Sequence, residues 1–420
     1  MPEFIKEFID ALNTKKPRII EDFKSIKLVD IFKDEFAKFW IDYNLKKARP
    51  GQNILAIDSS RGLIPFGNGG FFHVVRALGI VRNIRYPYVF TDFDFGQPLR
   101  MYNYIGRVME WAEHKVAINA IKDGFNGYIL VDGSIYGRLV HLPLELELIN
   151  NKSFMIHYFE TLIELLDLCK NKNIPFIGVS KESRTGFFKE FLIKEILKKI
   201  IHDEQFLGEL VSLGLENKRK AIEIARKTGD DQIISLINEL VYKKPDALLI
   251  LNNALNSGYT HPLLLGASQR WRRASKMISR DPKEYIRKNF PLSSLDNNFL
   301  NFAQDIVKKM LDFPAIVSFH LLPQINDTPI RIDIPDWYFD LDSKLIEIGW
   351  PQIVDIDLEE ILNLISAGYC GLDNYNIWLK FVDDNVKLKR NILENIYLQK
   401  FEEIISKKAT SRGYRRVRYP

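Results

Sequence analysis

Short apolar runs that lead into acidic residues are the clearest pattern in the first half of the chain. Residues 54–57 are four consecutive apolar positions followed by Asp58, and residues 128–131 lead in the same way into Asp132. A short apolar run bounded by polar and glycine residues predicts a buried strand, so each aspartate is predicted at a strand end. One such aspartate commonly caps a turn, but two of them favour a paired-carboxylate site.

The periodicity of residues 54–180 predicts the order strand, strand, strand, helix, strand, helix, strand. Carboxylates end the first and fourth strands, and the first helix carries Glu110 and Glu113. This order and placement are typical of the α/β ribonuclease H-like nuclease fold, a mixed sheet flanked by helices whose carboxylates meet around divalent metal. The predicted strands are 54–58, 71–81, 86–92, 128–132 and 174–180, and the predicted helices are 99–123 and 153–171.

The rest of the chain is predicted to be mostly helical. Residues 1–48 repeat apolar positions at helical spacing and form a lead-in that packs on the next domain or dimerises beside it, and 49–420 form the nuclease domain. A helical insertion occupies about 187–242, after which 245–251 resume the core. Two strands, 314–321 and 328–335, then precede a helical C-terminal region.

Helix geometry ranks the two candidate glutamates of the first helix. Ala112, Val116 and Ala120 share the face predicted to pack on the sheet, and Glu113 projects within about 20–30° of its middle. Glu110 lies roughly 80° away, at the margin of that face. A buried, unpaired carboxylate is costly, so Glu113 is the preferred cation ligand and Glu110 the alternative.

These acidic residues suit phosphodiester hydrolysis assisted by metal. Two divalent ions about 4 Å apart can activate water, neutralise charge on the phosphorus centre and stabilise the leaving oxygen. Hard cations prefer oxygen ligands, so Asp58, Asp132 and a glutamate suit Mn²⁺ or Mg²⁺. Lys181 follows a strand and is predicted to contact a phosphate, with a surface lysine as the alternative. His320 is either an imidazole ligand or a satisfied histidine of the core.

Composition and charge restrict the class of protein. The 420 residues are 46% hydrophobic and 27% charged, with a formal net charge of +5, which is typical of a globular protein. No signal peptide or membrane-length apolar run is visible, and two cysteines fit a reducing compartment, so we expect a cytoplasmic protein without a membrane partner. An ATP-driven motor is disfavoured because no phosphate-binding loop of the Gly-x-x-x-x-Gly-Lys-Ser/Thr type occurs.

Basic clusters interleaved with aromatic residues indicate nucleic-acid binding. Arginine neutralises phosphates, and Trp or Tyr can stack on unpaired bases. The alternatives are a solvated basic face and a frayed terminus. The candidate DNA-binding residues are Arg61, Arg270, Trp271, Arg272, Arg273, and Arg415 and Arg416 in the C-terminal tail.

Several short motifs, taken in order, resemble the NurA nucleases of archaea and some bacteria. The matching segments are 57–61, 72–77, the helix with Glu113, 130–134, 179–184, 319–335 and 375–383. The first motif departs from the family's Asp-Gly-Ser by carrying Ser59. The late metal-site position would be Asp383, although Asp384 beside it leaves the register open.

The resemblance implies a manganese-dependent DNA nuclease that processes ends for recombinational repair. It implies 5'-3' exonuclease and single-strand endonuclease activity, two Mn²⁺ or Mg²⁺ ions, a homodimer and a HerA-type hexameric ATPase partner. Two alternatives remain: another ribonuclease H-like phosphoryl-transfer exonuclease, or a non-catalytic DNA-binding scaffold with a decayed site. The presence of all the carboxylates argues against decay.

Overall fold

The structure, a computed structural model, describes residues 2–25, 31–46, 53–241 and 244–408. The chain divides into two compact units. The larger unit has the bounds Leu45–Lys181, Pro262–Phe319 and Ile330–Pro420, and the smaller unit has the bounds Met1–Asn44, Glu182–His261 and His320–Pro329. Every residue predicted to hold metal lies within the bounds of the larger unit, except His320.

The described residues form eleven strands. They are β1 (Trp40–Asp42), β2 (Ile54–Pro65), β3 (Gly70–Val81), β4 (Ile84–Phe95), β5 (Tyr128–Asp132), β6 (Phe176–Ser180), β7 (Gly258–Thr260), β8 (Leu263–Leu265), β9 (Ile316–Leu322), β10 (Ile330–Pro335) and β11 (Gln352–Ile353).

Helices connect and flank these strands. They are α1 (Pro2–Ser25), α2 (Lys33–Lys38), α3 (Pro98–Lys122), α4 (Ile135–Leu139), α5 (Phe154–Asn171), α6 (Phe187–Ile200), α7 (Glu204–Glu216), α8 (Lys218–Lys227), α9 (Asp231–Val241), α10 (Asp246–Asn253), α11 (Gln269–Arg280), α12 (Pro282–Asn289), α13 (Asn297–Lys309), α14 (Glu359–Gly368), α15 (Ile377–Val386), α16 (Arg390–Ile392) and α17 (Gln399–Ile405), with a π-helical segment, Leu393–Leu398, between the last two.

A mixed sheet forms the core of the larger unit. Its order is β9-β10-β6-β5-β2-β3-β4, with only the first four residues of β9 inside this unit. Strands β2, β3 and β4 form an antiparallel meander, β2 pairs with β5 and β5 with β6 in parallel, and β10 pairs with β6 in antiparallel fashion. The predicted mixed α/β sheet flanked by helices is therefore confirmed.

The middle of the meander is covered on both sides. Successive side chains of a strand point to opposite faces, and β3 is buried at every position except Arg76. Helix α3 packs against β2, β3 and β4, while α15 packs against β2 and β3. Gly79 permits the close approach of α3, because a Cβ there would lie 2.6 Å from Cγ1 of Val116.

The smaller unit is mainly helical. It contains α1, α2 and α6–α10, together with β1, β7 and the last residues of β9, which pair in that order. The segment predicted as a helical insertion forms α6–α9. Of residues 245–251, predicted to resume the core, all but Pro245 form part of α10, which begins directly after Pro245, its N-cap residue in extended conformation. Among the described helices, none combines the length and apolar character needed to span a bilayer.

Candidate active site

Asp58 lies within β2 rather than at its end. The parallel pairing with β5 covers only residues Ile54–Ile57, whereas β2 continues to Pro65 as the partner of β3. The predicted strand end at Asp58 was therefore wrong, because the polar residues that follow it still find a ladder partner in β3. Asp58 is nevertheless the first residue beyond the parallel pairing, where β2 no longer pairs with β5.

Asp132 is the last residue of β5 and lies one position beyond the residue paired with Ile57. The chain then turns sharply at Gly133, whose φ of +111° is a conformation that side-chain-bearing residues rarely adopt. Gly178 on β6 makes room for this turn, since a Cβ there would lie 2.5 Å from the carbonyl oxygen of Gly133. Two glycines thus place Asp132 beside the start of the next helix, α4.

Lys181 and Tyr375 both contact Asp132. Lys181 Nζ lies 3.2 Å from Asp132 Oδ2 and 4.8 Å from the centroid of the Tyr375 ring. Burial, the negative charge of Asp132 and a hydrogen bond to that carboxylate raise the pKa of Tyr375 well above its ordinary value. Tyr375 is therefore a protonated phenol that donates a hydrogen bond to Asp132.

Glu113 projects from α3 and is buried, with 6% of its surface exposed. Ser59 Oγ donates to Glu113 Oε1 at 2.5 Å, and Arg138 Nη2 donates to Oε2. Burial raises the pKa of Glu113, and the Arg138 charge and the Ser59 hydrogen bond oppose that rise. The orientation of α3 thus brings Glu113 to β2, as its helical phase predicts.

Asp383 approaches from α15, which packs against β2. Asn376 caps this helix by accepting hydrogen bonds from the amides of Trp378 and Leu379. Asp383 contributes to the electrostatic environment of Asp58. The neighbouring Asp384 is more exposed and is the closer ion-pair partner of Lys380, whose Nζ also lies 3.8 Å from Asp383 Oδ2. This geometry favours Asp383 over Asp384 as the residue that faces the site.

The pKa of Asp58 is affected by each of the other three acids. The pKa of Asp58 is raised to about 8: burial is the largest cause, the charges of Glu113, Asp132 and Asp383 add to it, and a hydrogen bond from the Ser59 amide opposes it. Like charges this close are unfavourable without a cation between them. Four carboxylates with hard oxygen donors therefore fit Mn²⁺ or Mg²⁺.

The side chains do not form a ready-made coordination shell. In the part of the chain that the structure describes, no three His, Cys, Asp or Glu side chains meet closely enough to hold a metal ion as they stand. Basic side chains instead occupy positions beside three of the acids: Arg138 pairs with Glu113, Lys181 pairs with Asp132, and Lys380 Nζ lies 3.8 Å from Asp383 Oδ2. The metal-ligand roles of Asp58, Glu113, Asp132 and Asp383 stay predictions.

Glu110, the alternative ligand, has hydrogen-bond partners of its own. It accepts hydrogen bonds from Arg107 at 2.9 Å and Tyr158 Oη at 2.7 Å, and lies 3.0 Å from His141 Nε2. Burial alone would raise the pKa of Glu110, but the hydrogen bond from His141 and the positive charges of Arg107 and Arg138 hold it below its ordinary value. Glu110 thus has protein partners that neutralise it without a metal ion.

His320 lies within the bounds of the smaller unit. It is buried in β9, its backbone amide donates to Thr260 Oγ1 at 3.0 Å, and its Nε2 lies 3.9 Å from Asp246 Oδ2. These contacts favour the interpretation of His320 as a core histidine.

The candidate DNA-binding residues separate into exposed and buried ones. Arg61, Arg270 and Arg273 are exposed. Trp271 is buried, and its indole N–H donates to the carbonyl of Leu139, so the prediction that it stacks on bases is corrected. The reason is helical phase: the buried positions of α11 are Trp271, Ala274, Ser275 and Ile278.

The remaining candidates are one half-buried arginine and two arginines of the C-terminal tail. Arg272 donates to the carbonyls of Ala267, Ile348 and Gly349 and therefore holds local structure. Arg415 and Arg416 lie outside the described residues.

Sequence reasoning missed Arg138 and Tyr375 as members of the site, and treated Ser59 only as a departure from a motif. Arg138 contacts a glutamate 25 positions earlier, and Ser59 contacts one 54 positions later. Separations of this size leave no local pattern. The signal that was available is the position of Arg138, in the helical turn that directly follows the Asp132 motif.

Comparison with known proteins shows which family the chain is similar to. The sequence matches the NurA domain over residues 52–388, and no curated protein matches it. The NurA nuclease from Sulfolobus solfataricus has a similar structure, with 12% identity and a TM-score of 0.52, over 95% of this chain and 97% of that one. A second NurA crystal structure is 15% identical, with a TM-score of 0.46, over 92% of this chain and 97% of that one. A third, solved with manganese, is 12% identical, with a TM-score of 0.45, over 91% of this chain and 96% of that one.

Proposed function

Because this chain belongs to the NurA family, we propose that it is a divalent-metal-dependent DNA nuclease. The observation that carries the proposal is geometric: Ser59, which follows Asp58 in β2, donates a hydrogen bond to Glu113, and Asp132 lies one position beyond the residue that pairs with Ile57. Asp58, Glu113, Asp132 and Asp383 would hold Mn²⁺ or Mg²⁺, and two ions are the number we expect. When bound, the metal supplies Lewis acidity toward the phosphodiester and its attacking water.

The remaining residues of the site would bind and orient the substrate. Lys181 is about half exposed, with 53% of its side chain accessible, and can turn from Asp132 toward a DNA phosphate. Tyr375 remains protonated and fixes Asp132 through its hydroxyl. Lys181 would therefore contact the phosphate, while Tyr375 keeps one carboxylate in place.

The finer activity follows from the family resemblance. We expect 5'-3' exonuclease activity with single-strand endonuclease activity, used to process DNA ends for recombinational repair. DNA labelled at either terminus reports polarity, and circular single-stranded DNA reports endonuclease cleavage. Short labelled products from one terminus only, together with linearised circles, would support both activities. Cleavage of neither substrate would contradict the proposal.

Metal binding should stabilise the folded protein. A ligand that binds only the native state at 100 times its dissociation constant adds about 2.7 kcal/mol to the free energy of unfolding. We expect Mn²⁺ to raise the melting temperature of the wild-type protein, measured by calorimetry in EDTA and in Mn²⁺. Asp58→Asn should melt at the same temperature in both, and an equal Mn²⁺ shift in this variant would place the ion elsewhere.

Helix α11 offers a phosphate-binding face. Arg270, Arg273, Lys276 and Arg280 are exposed on it at spacings of three and four residues, while Arg272 is held by backbone carbonyls. We expect Arg270→Ala and Arg273→Ala each to reduce the slope of log K against log salt by about 1. Fluorescence anisotropy with labelled DNA measures this slope.

Arg272→Ala is the matched control for that experiment, because it removes the same charge from a side chain bound to protein. Its slope should equal that of the wild type. Equal effects from all three variants would mean that net charge, rather than this face of α11, determines the salt dependence.

Assembly is the last part of the proposal. We expect a homodimer that works with a HerA-type hexameric ATPase, as the family resemblance implies. Sedimentation velocity of the chain alone tests the dimer, and co-sedimentation with a HerA-type ATPase tests the complex. A monomer at micromolar concentration, or two independent boundaries in the mixture, would contradict these expectations.

A further inference from the structure

Both carboxylate oxygens of Glu113 are held by side chains from other elements. Ser59 on β2 donates to Oε1, and Arg138 on α4 donates to Oε2. A glutamate on a helix has three rotatable side-chain torsions, so its carboxylate can take many orientations when nothing holds it. Here one donor on each oxygen restricts Glu113 to a single orientation.

The two donors are tied to the other acids of the site. Ser59 follows Asp58 in β2, and its backbone amide donates to Asp58 Oδ1 at 2.7 Å. Arg138 lies on α4, and the N-cap residue of this helix is Ser134, two positions after Asp132. Ser134 accepts a hydrogen bond from the Gly137 amide. The orientation of Glu113 is therefore fixed relative to the segments that carry Asp58 and Asp132.

We infer that Arg138 and Ser59 are positioning residues that keep the Glu113 carboxylate beside β2, next to Asp58, where the two acids can serve as ligands of a divalent cation. The inference rests on the proposed function. Neither side chain needs to touch the ion or the DNA, because each acts through Glu113. Hydrogen-bond partners of metal ligands commonly contribute 10- to 100-fold in metal affinity, about the size of effect expected here.

A purely structural ion pair is the competing explanation. Only 3% of the Arg138 side chain is exposed, and its Nη1 is buried without a hydrogen-bond partner among the residues that the structure describes. Buried pairs of this kind often add little to stability, because desolvation offsets the attraction. A structural role would lower the melting temperature of a variant and leave its affinity for Mn²⁺ unchanged.

Titration calorimetry of the full-length chain with Mn²⁺ alone separates the two roles, with melting temperatures recorded in EDTA. Arg138→Met and Ser59→Ala should each weaken Mn²⁺ binding, by about 10- to 100-fold and about 10-fold respectively. Arg138→Lys should recover part of the loss, because lysine keeps the charge but not the planar fork. Arg107→Met is the matched control, since Arg107 pairs with Glu110 on the same helix, and its affinity should equal that of the wild type.

A double-mutant cycle tests whether Arg138 acts through Glu113. Glu113→Gln combined with Arg138→Met removes both charges, so it also avoids leaving a lone buried carboxylate if Arg138→Met folds poorly. We expect the double variant to bind Mn²⁺ as weakly as Glu113→Gln alone. Additive losses, or wild-type affinity in Ser59→Ala and Arg138→Met, would overturn the inference.

The same titrations keep this inference separate from the proposed function. If the wild-type chain does not bind Mn²⁺, the proposed function and the inference both fail. If the wild type binds Mn²⁺ and Asp58→Ala does not, while the Ser59 and Arg138 variants bind normally, only the inference fails.

Discussion

Asp58→Ala should reduce Mn²⁺-dependent DNA cleavage by about a thousandfold or more, because it removes a proposed metal ligand whose pKa is raised by the other three acids of the site. Asp132→Ala should have a similar effect, since Asp132 is a proposed ligand that also forms an ion pair with Lys181 and a hydrogen bond with Tyr375. Affinity for DNA should stay close to the wild-type value, because it comes from basic residues elsewhere on the surface. Single-turnover cleavage and anisotropy binding on the same preparations measure both quantities.

Asp384→Ala is the control for these two variants. Asp384 is an exposed acid that pairs with Lys380, so its removal takes away one negative charge near the site without removing a proposed ligand. Its cleavage rate should match that of the wild type. Near-normal cleavage by Asp58→Ala, or an equal loss in Asp384→Ala, would remove the present assignment of the site.

Glu113→Gln should abolish most Mn²⁺-dependent cleavage, by about 100-fold or more, whereas Glu110→Gln should reduce it less than about tenfold. Glu113 accepts a hydrogen bond from Ser59 and raises the pKa of Asp58. Glu110 instead accepts hydrogen bonds from Arg107 and Tyr158 and lies beside His141, so its polar contacts are made by protein groups. The measurement is parallel single-turnover cleavage of one labelled substrate by both variants.

The melting temperatures of these two variants show whether a loss of activity comes from unfolding. Both substitutions break buried or half-buried hydrogen bonds, so both proteins must be folded at the assay temperature. The opposite ranking of activity, with both variants folded, would identify Glu110 as the ligand and exclude Glu113.

The sheet and the principal acids could be predicted from the sequence because their signals are local. Asp58 and Asp132 each follow a run of four apolar residues, and Glu113 falls on the buried face of a strongly periodic helix. The extent of β2 beyond Asp58 could not be predicted in this way. It depends on pairing with β3, which supplies partners to residues that are polar in sequence.

Long-range contacts account for the other differences. Tyr375 reaches Asp132 across more than 200 residues, and no periodicity encodes such an approach. The smaller unit gathers three separate stretches of chain, which composition alone does not connect. Trp271 is different, because its burial could have been predicted: the helical spacing of Trp271, Ala274 and Ile278 indicates an apolar face. The neighbouring arginines suggested a nucleic-acid contact instead.

The measurement that tests the central claim most directly is cleavage of end-labelled single- and double-stranded DNA by the wild-type chain, in EDTA and across a Mn²⁺ titration. We expect no cleavage in EDTA and a rate that rises with Mn²⁺ to saturation, because the acids around Asp58 need a cation to act. Cleavage in EDTA at the rate seen in Mn²⁺, or intact DNA at every Mn²⁺ concentration, would contradict the claim that these carboxylates form a metal-dependent nuclease site.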